Sequence, residues 1–290
     1  MKAKTILSIL AAATILGACS SDESTSVDNT TSAVKFNGGI EGTRASGTAW
    51  TSGDLVGITA AAENSGATNY VNEEYSSNAS GTFTYQAGDE IYYKDDKAVD
   101  FTAYYPFITT STTGTAPANV SKTIAATDES TTGQPAIDYL WAQETGVAKG
   151  TTVTFAFAHK MSELTLKFIS GTGSPDITNL SYTLSGIILA GTFNPSTGVA
   201  ATSGTTTGSL TMSGVNTSST LILFPDASTS SATLSVTSGS TYKSSFTVPI
   251  MAAGNNYEID VTINKTGLSI SGSTITNWGT GTTIAATATV

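Results

Sequence analysis

The chain is poor in cysteine, arginine, histidine and charged residues in general, which are side chains that often act in catalysis and metal binding. Its 290 residues include one cysteine, one arginine and one histidine, and only 12% of them are charged. A disulfide needs two cysteines and a zinc site needs several Cys or His ligands, so neither is available. The 22 acidic residues outnumber the 12 basic ones, which argues against binding to nucleic-acid phosphates. We therefore expect no metal, no cofactor and no nucleic-acid partner.

Long apolar runs and helical apolar repeats are also lacking after the N-terminus. Short runs rich in Thr, Val, Ile, Tyr and Phe are instead separated by Gly, Ser and Asn, which predicts an all-β protein. The length allows two domains. We predict one β-sandwich domain over residues 33–170 and a second over residues 171–290, with residues 109–135 as a long loop of low complexity.

The N-terminus has the features of a bacterial export signal. Residues 1–18 combine a short basic start with an apolar run that is too short to remain as a membrane helix. The run ends in Leu16-Gly17-Ala18-Cys19, which resembles a bacterial lipobox, so we expect Cys19 to be acylated, for example with palmitate. Residues 19–32 then form a polar, flexible tether. The alternative is an ordinary signal peptide that happens to end near a cysteine.

The single arginine lies just after the first predicted strand. Residues 34–36 are predicted to form that strand, a glycine-rich run follows it, and Thr43-Arg44-Ala45 comes next. An arginine-specific protease would have one target, the bond between Arg44 and Ala45, in a segment of small residues. The alternative is an ordinary first strand followed by a loop arginine.

Candidate catalytic or binding groups are few, and each has a simpler structural interpretation. His159 could belong to a Ser-His-Asp triad, but its place beside Lys160 and Met161 favours a hydrogen-bonded histidine at a strand bend. The pairs Asp89-Glu90 and Asp95-Asp96 are typical of solvated turns rather than of a glycosidase carboxylate pair. The aromatic residues that could form a sugar-binding platform are Tyr92, Tyr93, Tyr104, Tyr105 and Trp141, and alternation directs about half of them inward. We expect no enzyme activity.

Several short motifs occur in one order along the chain. They are Thr43-Arg44-Ala45, Trp50-x-x-Gly53-Asp54-x-x-Gly57-Ile58, Val99-Asp100-Phe101-x-Ala103-Tyr104-Tyr105-Pro106, Asp138-x-Leu140-x-Ala142, Phe157-x-His159-Lys160-Met161-Ser162-x-Leu164, Gly254-Asn255-Asn256-Tyr257 and Ile275-Thr276-Asn277-Trp278. Together with the lipobox, this ordered set resembles the fimbrillin-like family, the lipoproteins that supply subunits of type V pili in Gram-negative anaerobes.

The resemblance implies a fold, a function and partners. It implies a transthyretin-like fold for each of the two β-sandwich domains. It also implies a pilus (fimbria) subunit in cell adhesion: a lipid-anchored precursor at the outer membrane, cut after Arg44 by a trypsin-like or Arg-specific protease, which loses its first strand. A strand of a neighbouring subunit, of the same or another kind, would replace it. Residues 281–290, which alternate small and apolar residues, are a candidate donor strand or else the last strand of their own domain.

Two other interpretations remain open at this stage. One is an uncleaved surface lipoprotein that binds glycans through the aromatic platform. The other is an anchor or tip subunit of the same pilus, in which the anchor would keep its lipid and the tip would lack a usable donor strand.

Overall fold

The part of the chain that the structure describes forms nineteen β-strands. The computed structural model describes residues 32–41, 49–110, 114–173, 175–278 and 283–286. The strands of the first half are β1 (Phe36–Ile40), β2 (Leu55–Ala62), β3 (Asn69–Ser77), β4 (Thr82–Tyr85), β5 (Val99–Tyr105), β6 (Val120–Thr123), β7 (Leu140–Val147) and β8 (Val153–His159). Those of the second half are β9 (Ser162–Ser170), β10 (Leu180–Ile188), β11 (Ala190–Asn194), β12 (Val199–Thr202), β13 (Thr207–Val215), β14 (Ser218–Leu223), β15 (Ser230–Ser238), β16 (Ser240–Val248), β17 (Asn255–Asn264), β18 (Gly267–Asn277) and β19 (Thr283–Ala286).

Helical structure is minor in the described ranges. One short 3-10 helix, Gln134–Ala136, lies before β7. Within the described ranges, no helix has the length and apolar character needed to cross a membrane.

Seven strands of the first half close on themselves around one core. Their order is β1-β4-β3-β2-β5-β7-β8, and β8 returns to β1. All neighbours are antiparallel except β1 and β8, which run parallel. The inward residues of these strands are mostly aromatic or β-branched, as in a sheet with one buried face. β7 pairs with β8 through only two residue pairs, and β1 pairs with β4 through two. The closed sheet therefore consists of two faces that are connected by short stretches of pairing.

The second half is a sandwich of two larger sheets. The five-stranded sheet β14-β9-β17-β18-β19 and the four-stranded sheet β13-β10-β15-β16 send alternate residues into a common core. Leu164 and Tyr257 come from the first sheet, and Leu184 and Leu234 come from the second. A third sheet, β12-β11-β6, joins this core through Phe193, whose ring stacks on Tyr139 at 4.6 Å. The predicted all-β class and β-sandwich fold are confirmed.

The strand pairing of β9 and of residues 109–135 differs from the sequence prediction. The predicted domain boundary after residue 170 puts β9 in the first domain, but β9 pairs with β14 and β17 of the second half. Residues 109–135, predicted to be a loop, contain β6, which pairs with β11. Both partners lie dozens of residues away, so local alternation could not reveal them. We propose a boundary between β8 and β9, within one compact unit that begins at Ser32.

A buried carboxyl group protects an edge of the five-stranded sheet. Glu129 accepts the backbone N–H of Ile222 through Oε2 at 2.9 Å, and Gln134 donates to the carbonyl of Thr220 at 2.8 Å. These side chains satisfy edge groups of β14 that would otherwise be open to another strand. Burial raises the pKa of Glu129 to about 7.

The raised pKa of Glu129 predicts that its protonation stabilises the fold. The unfolded carboxyl titrates near 4.5, so its stabilising contribution is complete below that pH and is lost as pH rises through about 7. A shift of this size is worth about 3 kcal/mol. Urea unfolding of Glu129→Gln between pH 4 and pH 8 should therefore show a flatter stability profile than the parent. Some pH dependence of the free energy of unfolding should remain in this variant, because the pKa values of Glu73 and Glu163 are also raised to about 7. An unchanged slope in Glu129→Gln would contradict this account.

Candidate functional site

The first strand lies between two other strands of the closed sheet. Residues 36–40 of β1 pair in parallel with residues 153–157 of β8, and Phe36 and Asn37 pair with β4 on the other side. Further backbone bonds extend the contact: Gly38 donates to the Gly81 carbonyl at 2.8 Å, and Glu41 donates to the Phe157 carbonyl at 2.8 Å. Removal of β1 would therefore leave unpaired backbone groups on both neighbours.

Phe36 anchors β1 in the first core. Its side chain is 1% exposed. The ring meets Tyr75 and Phe101 edge-on, with centroids 5.1 and 5.3 Å away, and it stacks parallel to Phe155 at 5.9 Å. Aromatic contacts of this geometry add to the gain from area burial. The neighbours of Phe36 thus form a deep pocket in the slot that β1 occupies.

The backbone of β1 is held two residues further on, at Gly38. The indole N–H of Trp50 donates to the Gly38 carbonyl at 2.7 Å. A Cβ atom at Gly38 would lie 2.7 Å from the ring of Phe83 and 2.8 Å from the ring of Phe157, distances that packed atoms do not adopt. The receiving strands thus fill the space where β1 has no side chain, and glycine is required because the approach is close.

The glycines that follow Phe36 belong to the strand. The sequence predicts a strand at residues 34–36 and a loose run after it, whereas β1 spans Phe36–Ile40 and includes Gly38 and Gly39. Low strand propensity of glycine is overridden here by tertiary packing. The alternation of Val34, Phe36, Gly38 and Ile40 is the sequence signal for this extension. No local sequence signal indicates that the rings of Trp50, Phe83 and Phe157 surround Gly38.

Three predicted site residues fall outside the described ranges. They are the lipidation site Cys19 and the processing site formed by Arg44 and Ala45. Of the candidate donor run 281–290, residues 283–286 are described. They form β19, which pairs antiparallel with β18 at the edge of the five-stranded sheet. Their backbone therefore occupies the position of a last strand of the second half.

His159 is part of a buried pair at the end of β8. Its Nδ1 atom lies 2.8 Å from Asp138 Oδ1, and its ring stacks on Trp278 at 4.2 Å. The nearby Ser162 hydroxyl donates to the Ala252 carbonyl rather than to His159. The pair links the end of β8 to the segment before β7, and the stacked ring links it to the end of β18. This is the geometry of the strand-bend histidine that the sequence suggested.

The other candidate groups are separated by the fold. Asp95 accepts the backbone N–H groups of Ala67 and Lys97, and these bonds lower its pKa. Asp96 is largely exposed beside Lys149. The aromatic residues do not form one exposed platform, because three of them are buried: Tyr93, Tyr104 and Tyr105. Among the residues that the structure describes, no group of three or more His, Cys, Asp or Glu side chains could hold a metal ion.

Comparison with known proteins identifies the family. The profile of the fimbrillin-like family matches residues 43–278, and the chain therefore belongs to that family, as its motifs suggested. Among curated proteins, none matches significantly.

Solved structures of bacterial proteins share the fold. One from Bacteroides ovatus, described as a "putative cell adhesion protein", is 28% identical with a TM-score of 0.76, and the alignment covers 86% of this chain and 98% of that one. Another of the same description, from Bacteroides uniformis, is 25% identical with a TM-score of 0.69 and coverages of 86% and 99%. A "fimbrial assembly protein" from Parabacteroides distasonis, 12% identical with a TM-score of 0.50 and coverages of 88% and 99%, shows the fold alone.

Adjacent glycines in β1 allow a matched test of this packing. Gly38→Ala should lower the free energy of unfolding by about 1–3 kcal/mol, because the new methyl group overpacks the rings of Phe83 and Phe157. Gly39 is exposed, and no atom lies within 4 Å of the position that a methyl group would take there, so Gly39→Ala should be neutral or slightly stabilising. Urea denaturation measures both. Equal stabilities for the two variants would show that the space at Gly38 is not restrictive.

Proposed function

We propose that the chain is a structural subunit of a surface pilus that is exported as a lipoprotein, cut after Arg44 and polymerised by strand exchange. The observation that carries the proposal is the position of β1, which completes a closed sheet and is joined to the rest of the chain just before the only arginine. Membership of the fimbrillin-like family supports the proposal. So does the likeness to two solved structures described as cell adhesion proteins.

A single cut would have two consequences. The lipobox cysteine, Cys19, and β1 both precede Arg44, so cleavage of the Arg44–Ala45 bond separates the lipid and the first strand from the rest of the chain. Trp50, which donates to Gly38, stays on the retained side. Detachment from the outer membrane and opening of the β1 slot are thus coupled to one event.

The opened slot would be a strong site for another strand. Departure of β1 exposes the aromatic pocket of Phe36 and the paired backbone groups of β4 and β8. Unpaired edge groups beside an apolar groove favour strand addition from another chain. A neighbour that donates a strand while its own slot stays open makes a head-to-tail contact, which extends into a filament.

The partners follow from this mechanism. They are other pilus subunits, of the same or a different kind, a trypsin-like or Arg-specific maturation protease, and the outer membrane through the lipid before processing. The precursor is then located at the cell surface and the mature form in the pilus, where it supports adhesion. A polymerising subunit needs packing and backbone pairing and requires no catalytic group.

An arginine-specific endoprotease tests the maturation step because the chain offers it one target. Treatment of the lipid-free chain should give a product whose N-terminal sequence starts at Ala45, together with SDS-resistant ladders when a subunit that supplies the replacing strand is present. Arg44→Ala should remain uncut and monomeric.

Arg44→Lys provides the matched control. It keeps the positive charge, resists the arginine-specific enzyme and should be cut by a trypsin-like enzyme, with ladders restored. An Arg44→Ala chain that forms ladders as readily as the parent would overturn the proposed maturation.

A further inference from the structure

The slot of β1 differs sharply between two neighbouring inward positions. At Phe36 it is a pocket bounded by three aromatic rings, with centroids 5.1 to 5.9 Å from that of Phe36. At Gly38 there is no pocket, because the rings of Phe83 and Phe157 occupy the space of a Cβ atom. Inward residues of one strand are two positions apart. Any strand in this slot therefore places residue i in the pocket and residue i+2 in the closed space.

The rings above Gly38 have little freedom to move aside. The Trp50 ring meets Phe83 and Phe157 edge-on at 5.3 and 5.1 Å, and those two rings are themselves 5.9 Å apart. All three side chains are at most 5% exposed. Displacement of one ring in a close-packed cluster disturbs the others, so the cluster opposes any side chain at this position.

The backbone bonds fix the register of the strand over the same rings. Trp50 donates to the Gly38 carbonyl at 2.7 Å, and the Gly38 N–H donates to the Gly81 carbonyl at 2.8 Å. Gly81 itself has a φ of +77°, and a Cβ there would lie against the Gly38 carbonyl oxygen. A strand that slips by one residue would turn its inward set outward, and a slip by two would put a side chain under the rings.

We propose that the slot selects its strand by sequence: a large aromatic residue followed two positions later by glycine. This inference rests on the strand exchange proposed above and specifies the partner. The strand that replaces β1 runs parallel to β8, fills the Phe36 pocket with its aromatic ring and presents glycine to Trp50, Phe83 and Phe157.

The rule discriminates between possible donors. In the whole sequence an aromatic residue is followed two positions later by glycine only at Phe36 and Gly38. In residues 281–290, Ile284 is followed at that spacing by Ala286. Seating an isoleucine in the pocket would underfill it, and the alanine methyl group would collide with the rings. We infer that the replacing strand comes from a partner chain that carries the aromatic-x-Gly pair rather than from residues 281–290 of another copy.

Peptide exchange on the cut chain tests the rule. The full chain is cut at Arg44 and then incubated with fluorescent peptides of residues 32–41, either unchanged or carrying Gly38→Ala or Gly39→Ala. These two variants have identical composition, so their comparison isolates the position of the methyl group. Fluorescence anisotropy should show that the parent and Gly39→Ala peptides bind alike. The Gly38→Ala peptide and a peptide of residues 281–290 should bind at least about tenfold more weakly.

A change in the receiving chain gives a second, independent readout. Phe83→Leu removes ring atoms that approach the Cβ position at Gly38. It should reduce the difference between the parent and Gly38→Ala peptides severalfold, which a general loss of stability would not do.

The outcomes separate this inference from the proposed function. If the Gly38→Ala peptide or the 281–290 peptide binds as tightly as the parent, strand exchange stands and the sequence rule is overturned. If the cut chain admits no peptide at all, including the parent, both the exchange mechanism and the rule fail.

Discussion

The fold of the first half depends on one strand, β1. Residues that come later in the chain, after residues 42–48, determine how it packs. β1 closes the sheet between β4 and β8, and the indole of Trp50, on the other side of residues 42–48, donates to its Gly38 carbonyl. Phe36 contributes the central ring of an aromatic cluster. These contacts do not depend on the covalent connection between β1 and the rest of the chain. The contacts would be the same for any strand of suitable sequence and direction.

The motifs that identify the family are explained by close contacts. Gly57 lies under the ring of Tyr104, where a Cβ would come within 2.3 Å of a ring atom. Asp138 pairs with His159, and His159 stacks on Trp278. These residues come from distant parts of the sequence, and the last three meet where β8, β18 and the segment before β7 end. The motif residues Asp138, His159 and Trp278 therefore mark a position where the two halves are joined, whereas Gly57 and Tyr104 pack two strands of the first half together.

Features that depend on local pattern are predictable from the sequence. The alternating run that forms β8 is visible because burial of one sheet face leaves a period of two. The apolar runs of β9 and β14 are visible because consecutive residues are buried, Ser162–Leu166 in β9 and Leu221–Leu223 in β14. The partners of β6 and β9 are not visible, since pairing depends on residues far along the chain. The close approach at Gly38 is equally hidden, because its cause is the rings of Phe83 and Phe157 rather than any neighbour in sequence.

The balance between backbone and side-chain contacts in β1 decides what kind of selectivity its slot can have. Pairing with β4 involves only two residue pairs, and pairing with β8 involves five. Backbone hydrogen bonds are nearly independent of sequence, so they would accept many strands with similar net gain. The pocket at Phe36 and the closed space at Gly38 respond to single methyl or ring groups, whose misfit costs more than one such bond contributes. If strand exchange takes place as proposed, two inward side-chain positions would govern recognition at this slot, while the backbone ladder would supply affinity and direction.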